Sequence, residues 1–354
     1  SYFTRSTIDR ELKIPEKAKA ILIISGIRRC GKSTLIKNHF SQRKDSLYIN
    51  FEDPRLINFE LSDFSKLEDM MVQKKQGFLL LDEIQNIKQW ELYARSAHER
   101  GISLIITGSN ASLLSRELGT KLTGRYKQLE LFPFNYSEFL DYFKMERNTE
   151  SFEKYYNLGG FPEYLEESDP DYHRILLRDI VARDIALRRN LHNENQLMRL
   201  AIHLLSNIGK DFSYNKLSRL LEIKSVRTVI DYCDYLSESY ILDFIPMFSH
   251  SIKKQIANPK KVYSVDSAFA RSNSLSFNED KGRRLENMVY LKLRQSAREI
   301  FYYRTDKAEC DFLVRDQEKI ISAIQVCWKV EPESMNREIQ GLKDATEKTN
   351  VKKA

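Results

Sequence analysis

The chain has 354 residues, 30% of them charged, and a formal net charge of +7. That length allows two or three domains with a sizeable core, and no apolar run approaches the roughly 20 residues that a membrane span needs, so a soluble globular protein is expected. Four widely separated cysteines without a CxxC pair (Cys30, Cys233, Cys310, Cys327) argue against zinc and for a reducing cytosol, and the first residues, Ser-Tyr-Phe-Thr-Arg, hold no signal-peptide core. The positive charge permits nucleic-acid contact without establishing it, because Lys and Arg also populate ordinary solvated faces.

In chain order, the apolar run Ile21-Leu22-Ile23-Ile24 predicts a buried strand that leads into Gly-Ile-Arg-Arg-Cys-Gly-Lys-Ser-Thr at 26–34. Strand, glycine-bounded loop and helix in that order read as a nucleotide phosphate-binding loop. Gly26 and Gly31 allow a tight turn that aims backbone N–H groups at phosphate oxygens. Lys32 adds a point charge for the β- and γ-phosphates. Ser33 offers a hydroxyl to Mg²⁺, and Thr34-Leu35-Ile36 continue a helix whose positive end faces the anion. Gly26, Cys30, Gly31, Lys32, Ser33 and Thr34 are the candidate nucleotide-binding set.

Further on, Phe78-Leu79-Leu80-Leu81 predicts a central strand buried on both faces, ending in Asp82 and Glu83 at the carboxyl edge where parallel sheets bind ligands. Asp82 is expected to support the Mg²⁺ shell, and Glu83 to polarise the water that attacks the γ-phosphate. A third strand, Leu104-Ile105-Ile106-Thr107, runs into Gly108-Ser109-Asn110, whose short polar side chains suit γ-phosphate sensing; a plain strand-to-turn exit is the alternative. Residues 128–133 read as the last strand of a first domain, 1–134. Aromatic-rich helical pieces around Gly159-Gly160-Phe161-Pro162 and a helix over 172–191 make a lid and connector, 135–194.

GIRRCGKST at 26–34, NFEDPRL at 50–56, LLLDEIQNIKQWE at 79–91, ITGSNASLL at 106–114, LTGR at 122–125 and GGFPEYL at 159–165 together resemble the AAA+ ATPases. The resemblance is to the bacterial and archaeal two-part proteins that join such a core to a poorly characterised C-terminal domain. It implies an ATP-binding core with sheet order 5-1-4-3-2, Mg²⁺ as cofactor, and ATP hydrolysis in a cytoplasmic homo-oligomer. It also implies that Asn110 (or Ser109) is a sensor and that Arg125, just before the fifth strand, is an arginine finger; a surface salt bridge is the plainer role for Arg125.

Residues 195–272 suggest a winged helix. Leu197, Leu200, Ala201 and Leu204 recur at helical spacing, Tyr214–Leu221 makes a second helix, Val226, Val229, Ile230, Cys233 and Leu236 stripe a third, and strands around 241–246 and 262–265 form the wing. Lys216, Arg219, Lys224, Arg227, Lys253, Lys254, Lys260 and Lys261 could neutralise DNA phosphates, while Asp231 and Asp234 on the third helix favour protein packing instead.

Residues 273–354, with GRRLENMVYLKLR, YYRTDKAECDFLV and ISAIQVCWK, resemble the restriction-endonuclease-like fold. An active enzyme of that type needs acids and a lysine around Mg²⁺. Glu286, Glu309 and Asp311 supply acids, the latter two on one strand face. Gln325 and Cys327 stand where an acid and a lysine are expected, and Lys329, on the same face of a continuing strand, lies roughly 7 Å further along, too far to substitute. This domain is therefore expected to be inactive, with closing strands absent beyond Ala354. The expected architecture is an α/β P-loop NTPase (AAA+-like) parallel sheet with helical lid, then a winged helix, then an α/β restriction-endonuclease-like domain. The readings open at this point are an ATPase whose nucleotide state repositions the C-terminal domains on DNA, a nucleotide-gated scaffold with little turnover, and a DNA-processing nuclease.

Overall fold

The computed structural model describes residues 8–15, 20–41, 43–110, 124–276, 280–296, 299–330 and 332–351. The ends of the ITGSNASLL and LTGR motifs, within 111–123, lie outside the described residues. The chain forms two compact units: the residues up to Phe152 with Gly160–Ser168 and Glu238–Tyr240, and Glu153–Gly159 with Asp169–Ser237 and Ile241 onward.

The first unit is built on strands β1 (Ile21–Ser25), β2 (Ser46–Asn50), β3 (Phe78–Asp82), β4 (Ser103–Gly108) and β5 (Tyr126–Glu130). All pairings are parallel and the order is β2-β3-β4-β1-β5, the expected 5-1-4-3-2 read from the other edge. Helices α1 (Lys32–Phe40), α2 (Phe64–Lys74) and α3 (Trp90–Glu99) follow β1, β2 and β3. Because strand residues alternate faces, Ile21, Ile23, Leu79 and Leu81 share one side of the sheet. There they meet Phe64, Leu67 and Met71 of α2 and Trp90, Tyr93, Ala94 and Ala97 of α3, with Phe64 and Tyr93 stacked at 3.8 Å between ring centroids. The strand expected over 128–133 lies two to three residues earlier. Leu131 N–H still donates to Ser25 O (2.7 Å), and Pro133, without an N–H, cannot extend the ladder.

Helix α4 (Tyr136–Phe143) opens with a capping box, in which Asn135 Oδ1 accepts from Glu138 N–H and Glu138 Oε2 from Asn135 N–H, both at 3.0 Å. After α5 (Thr149–Leu158) comes α6 (Pro162–Glu167). The glycine before it is needed for close approach: a Cβ on Gly160 would stand 2.0 Å from Phe134 O.

In the second unit, α7 (Tyr172–Asp179) continues as a π-helix over Ile180–Leu187 and so replaces the single α-helix expected to 191. Helix α8 (Glu194–Leu205), strand β6 (Asp211–Phe212), α9 (Tyr214–Leu220), α10 (Val226–Glu238), β7 (Leu242–Pro246), α11 (Ile252–Ala257) and β8 (Lys260–Ser264) follow, the strands forming an antiparallel sheet of order β6-β8-β7. After α12 (Ser267–Ser272) and α13 (Lys281–Ser296), strands β9 (Glu299–Arg304), β10 (Glu309–Asp316) and β11 (Lys319–Ile324) pair antiparallel in the order β11-β10-β9, and α14 (Pro332–Thr349) closes the fold.

Strand β11 does not run on to Lys329. Where the ladder would next pair residue 311 with 325, side chains take the backbone groups: Gln325 Oε1 accepts from Asp311 N–H (3.1 Å) and Asp311 Oδ2 from Val326 N–H (3.0 Å). Among the described residues, no helix is long and apolar enough to cross a membrane.

Candidate active site

At the carboxyl edge of the first unit's sheet, β1 breaks at Gly26, whose φ of 151° and close approach leave no room for a side chain; a Cβ would meet Leu131 O at 2.1 Å. The loop climbs through Arg29, in the left-handed region at φ 64°, to Gly31 (φ 98°), which caps α1. Lys32 is only 3% exposed. Its ammonium turns back into the loop, donating to Gly26 O and Ile27 O at 3.1 Å each. Burial acts to lower its pKa, while the Glu83 and Asp82 carboxylates nearby act to raise it, and it stays above the ordinary lysine value. Burial pushes the Cys30 thiol up, and Sγ faces Leu131 O at 3.3 Å. Cys30 is therefore a neutral packing residue turned toward Leu131.

The paired acids at the end of β3 have different neighbours. Asp82 accepts from the Tyr48 hydroxyl and from Thr107 Oγ1, so both its oxygens are engaged. Tyr48 stays protonated, since burial and then its bond to Asp82 raise its pKa far above the phenol range. Glu83 departs from the strand in the left-handed region, φ 52°, a conformation that costs a non-glycine residue about 1–3 kcal/mol and is common at functional sites. Thr107 Oγ1 holds its N–H at 3.0 Å. Its carboxylate lies 3.7 Å from Lys32 Nζ and accepts from Gln85 Nε2, which also reaches Ser109 Oγ at 3.3 Å. Asn110 is buried just past β4 at the same edge.

Lys32 and Glu83 border a cavity of about 500 Å³ that is also lined by Gly31, Ser33 and Thr34, with Ile8, Leu12, Ile14, Phe134, Tyr142 and Pro162 as an apolar wall. The volume falls in the range of small-molecule sites. Gly26, Cys30, Asp82, Asn110 and Arg125 do not line it. Ser33 opens on it, and its hydroxyl and the Asp82 carboxylate, next in sequence to Glu83, are oxygen donors of the kind that suits Mg²⁺.

Arg125 sits elsewhere. Its carbonyl accepts from Ile21 N–H at the start of β1 (2.9 Å), which places it at the amino edge of the sheet. The five residues of β1 put about 16 Å between that edge and the phosphate loop. Its guanidinium meets Glu99 at 2.6 Å.

Sequence reasoning missed the N-terminal strap. Arg10 is buried, donating Nε to Glu138 Oε1 (2.8 Å), Nη1 to Cys30 O (3.1 Å) and Nη2 to Phe132 O (2.6 Å). It also missed Tyr48, Gln85 and Thr107. A polar residue within an otherwise apolar strand, as in Leu104-Ile105-Ile106-Thr107, was the one local signal available for them.

Residues 18–140 match the AAA domain family, and 149–280 match a domain family of unknown function, DUF8612. An uncharacterised protein of Methanocaldococcus jannaschii, MJ1544, is 31% identical over 96% of this chain and 81% of its own length. An uncharacterised protein of Haemophilus influenzae is 28% identical over 88% of this chain and 83% of its own. The Walker-type ATPase PABY2304 of Pyrococcus abyssi aligns at 15% identity and a TM-score of 0.46, over 72% of this chain and 90% of that one. With its family match, its parallel sheet order and its phosphate loop, the chain belongs to the AAA+ family of P-loop ATPases.

Proposed function

We propose that the protein binds ATP with Mg²⁺ and hydrolyses it to ADP and phosphate. The observation that carries this is the convergence of Lys32 and Glu83, 3.7 Å apart, on one cavity at the carboxyl edge of the sheet. Lys32 holds phosphate oxygens. Glu83, oriented by Gln85 and Thr107, takes a proton from the attacking water. Ser33 would hold Mg²⁺ and Asp82, set back from the cavity, would support its shell; the ion when bound offsets charge on the β- and γ-oxygens. Asn110 senses the γ-phosphate from the end of β4.

Arg125 cannot reach its own subunit's γ-phosphate across about 16 Å, so its role as an arginine finger is in trans, within a homo-oligomer. The nucleotide state then repositions the second unit, and DNA is its partner. The support for DNA is the exposure of Lys216, Arg219, Lys224, Arg227, Lys253 and Lys254. Lys261 is a correction: it is buried in a carboxylate cluster and cannot meet a phosphate backbone. The four cysteines are free thiols, as suits a reducing cytosol.

Glu83→Gln keeps the shape of the site and loses the base. Nucleotide binding, measured by titration with a fluorescent ATP analogue, should persist while phosphate release falls by about 10²–10⁴. Lys32→Ala should weaken binding itself. Parental turnover in Glu83→Gln would remove Glu83 from the mechanism.

A further inference from the structure

Three carboxylates in the second unit converge on a single ammonium. Lys261 Nζ stands 3.1 Å from Glu286 Oε1, 3.0 Å from Glu309 Oε1 and 3.2 Å from Asp311 Oδ1. The fold dictates the meeting. Glu309 and Asp311 share a face of β10 by the two-residue period, Glu286 projects from α13, and Lys261 and Tyr263 share a face of β8. Tyr263 donates to Glu286 Oε1 at 2.6 Å. The cluster floors a cavity of about 500 Å³.

The nuclease-like resemblance implies Mg²⁺ here, and these residues do not fit it. An ammonium has three N–H donors, and each has its own carboxylate. Asp311 Oδ2 is committed to Val326 N–H. Gln325, at the position of an expected acid, is neutral and spends its oxygen on Asp311 N–H and its amide on Glu338. Among the described residues, no group of three or more His, Cys, Asp or Glu side chains could hold a metal ion. A divalent ion would have to share these oxygens with a positive charge already seated among them.

We propose that Lys261 is the resident cation of this pocket: a tethered ammonium seated where the three carboxylates meet, leaving the pocket closed to metal. Burial acts against its charge, and Glu286, Asp311 and Glu309 together override burial, so Lys261 stays protonated well above the ordinary lysine range.

Removing the ammonium should open a metal site. The probe is Mn²⁺ with the full chain free of nucleotide, read by the electron paramagnetic resonance signal of the unbound ion and by thermal unfolding. Wild type should show no Asp311-dependent binding. Lys261→Ala should gain one Mn²⁺ site at least tenfold tighter than any in wild type, and Mn²⁺ should raise its unfolding temperature through linkage. Both effects should vanish in Lys261→Ala/Asp311→Asn. If Lys261→Ala is unfolded without metal, Mn²⁺ should restore its circular dichroism, and Lys261→Gln, which keeps hydrogen-bond donors, is read in the same way. Asp311-dependent Mn²⁺ binding by wild type would overturn the proposal. So would the absence of both a gained site and metal rescue in the two Lys261 variants.

Discussion

Replacing Arg10 with Met tests whether the N-terminal strap anchors the phosphate loop. The Arg10 and Glu138 side chains are 6% and 4% exposed, and they are joined by two contacts, at 2.8 and 3.2 Å. Removing one partner of such a buried pair typically costs 3–5 kcal/mol, because the other charge is left uncompensated. Glu138 would still accept from Glu11 N–H (2.8 Å) and Asn135 N–H (3.0 Å), so the lower end, about 3 kcal/mol, is expected. For a unit of this size that lowers the melting temperature by about 6–12 °C. Trp90, buried in the first unit, reports the transition if Trp328 is replaced by Phe. The double variant Arg10→Met/Glu138→Gln removes the stranded charge and keeps the helix cap, and should recover about 1–2 kcal/mol. ATP affinity should also fall, since Cys30 O loses its donor. A shift under about 2 °C in Arg10→Met, or a double variant no more stable than the single one, would refute the anchor.

Arg125→Ala should slow hydrolysis with ATP affinity nearly unchanged, and mixing it with Glu83→Gln chains should restore activity; no recovery in verified mixed oligomers rules out action in trans. Burial, with Asp311 beside it, pushes the Glu286 carboxyl up to about 7 even though Lys261 and Tyr263 face it. Its folded pKa exceeds its unfolded value, so this contribution to stability is full below about 4.5 and is lost as pH rises through about 7. Urea midpoints should therefore fall across that window, and Glu286→Gln should flatten the slope; an unchanged slope would exclude Glu286 as its source. DNA affinity should fall steeply with salt, and Lys253→Glu/Lys254→Glu should reduce the log–log slope by about 2; a salt-insensitive complex would exclude phosphate contact.

The elements legible in the sequence were those whose signal is local. The loop at 26–34 carries its strand, glycines and helix within one stretch, and the run ending in Asp82-Glu83 marks a central strand by its apolar continuity alone. What was not legible depends on closure over long distances. Arg10 and Glu138 are 128 positions apart, and neither stands in a pattern that separates it from a surface charge. Lys261 illustrates the same limit in reverse. Beside Lys260 it reads as one of a basic pair, yet strand alternation sends one lysine over the Tyr214 ring and the other into the acids of β10 and α13. The nuclease-like segment's own triplet, Gln325-Val326-Cys327, holds no lysine, and the cation stands on another sheet.

The ties around the phosphate loop differ in strength, and the difference follows from exposure. Arg28 meets Glu52 at 2.6 Å and Arg29 meets Glu163 at 3.1 Å, which accounts for the NFEDPRL and GGFPEYL segments accompanying the loop. The Glu52 and Glu163 side chains are 43% and 23% exposed, so solvent screens both pairs and each contributes about 0–1 kcal/mol. The Arg10–Glu138 pair is dry, shares its carboxylate with a helix cap, and binds the loop through Cys30 O. The loop is thus fixed firmly beneath Gly31 and only lightly at its two exposed arginines. On the proposed reading, a phosphate entering the cavity would meet Lys32 already seated in the loop, flanked by arginines whose existing partners are weak enough to be exchanged for a stronger anion.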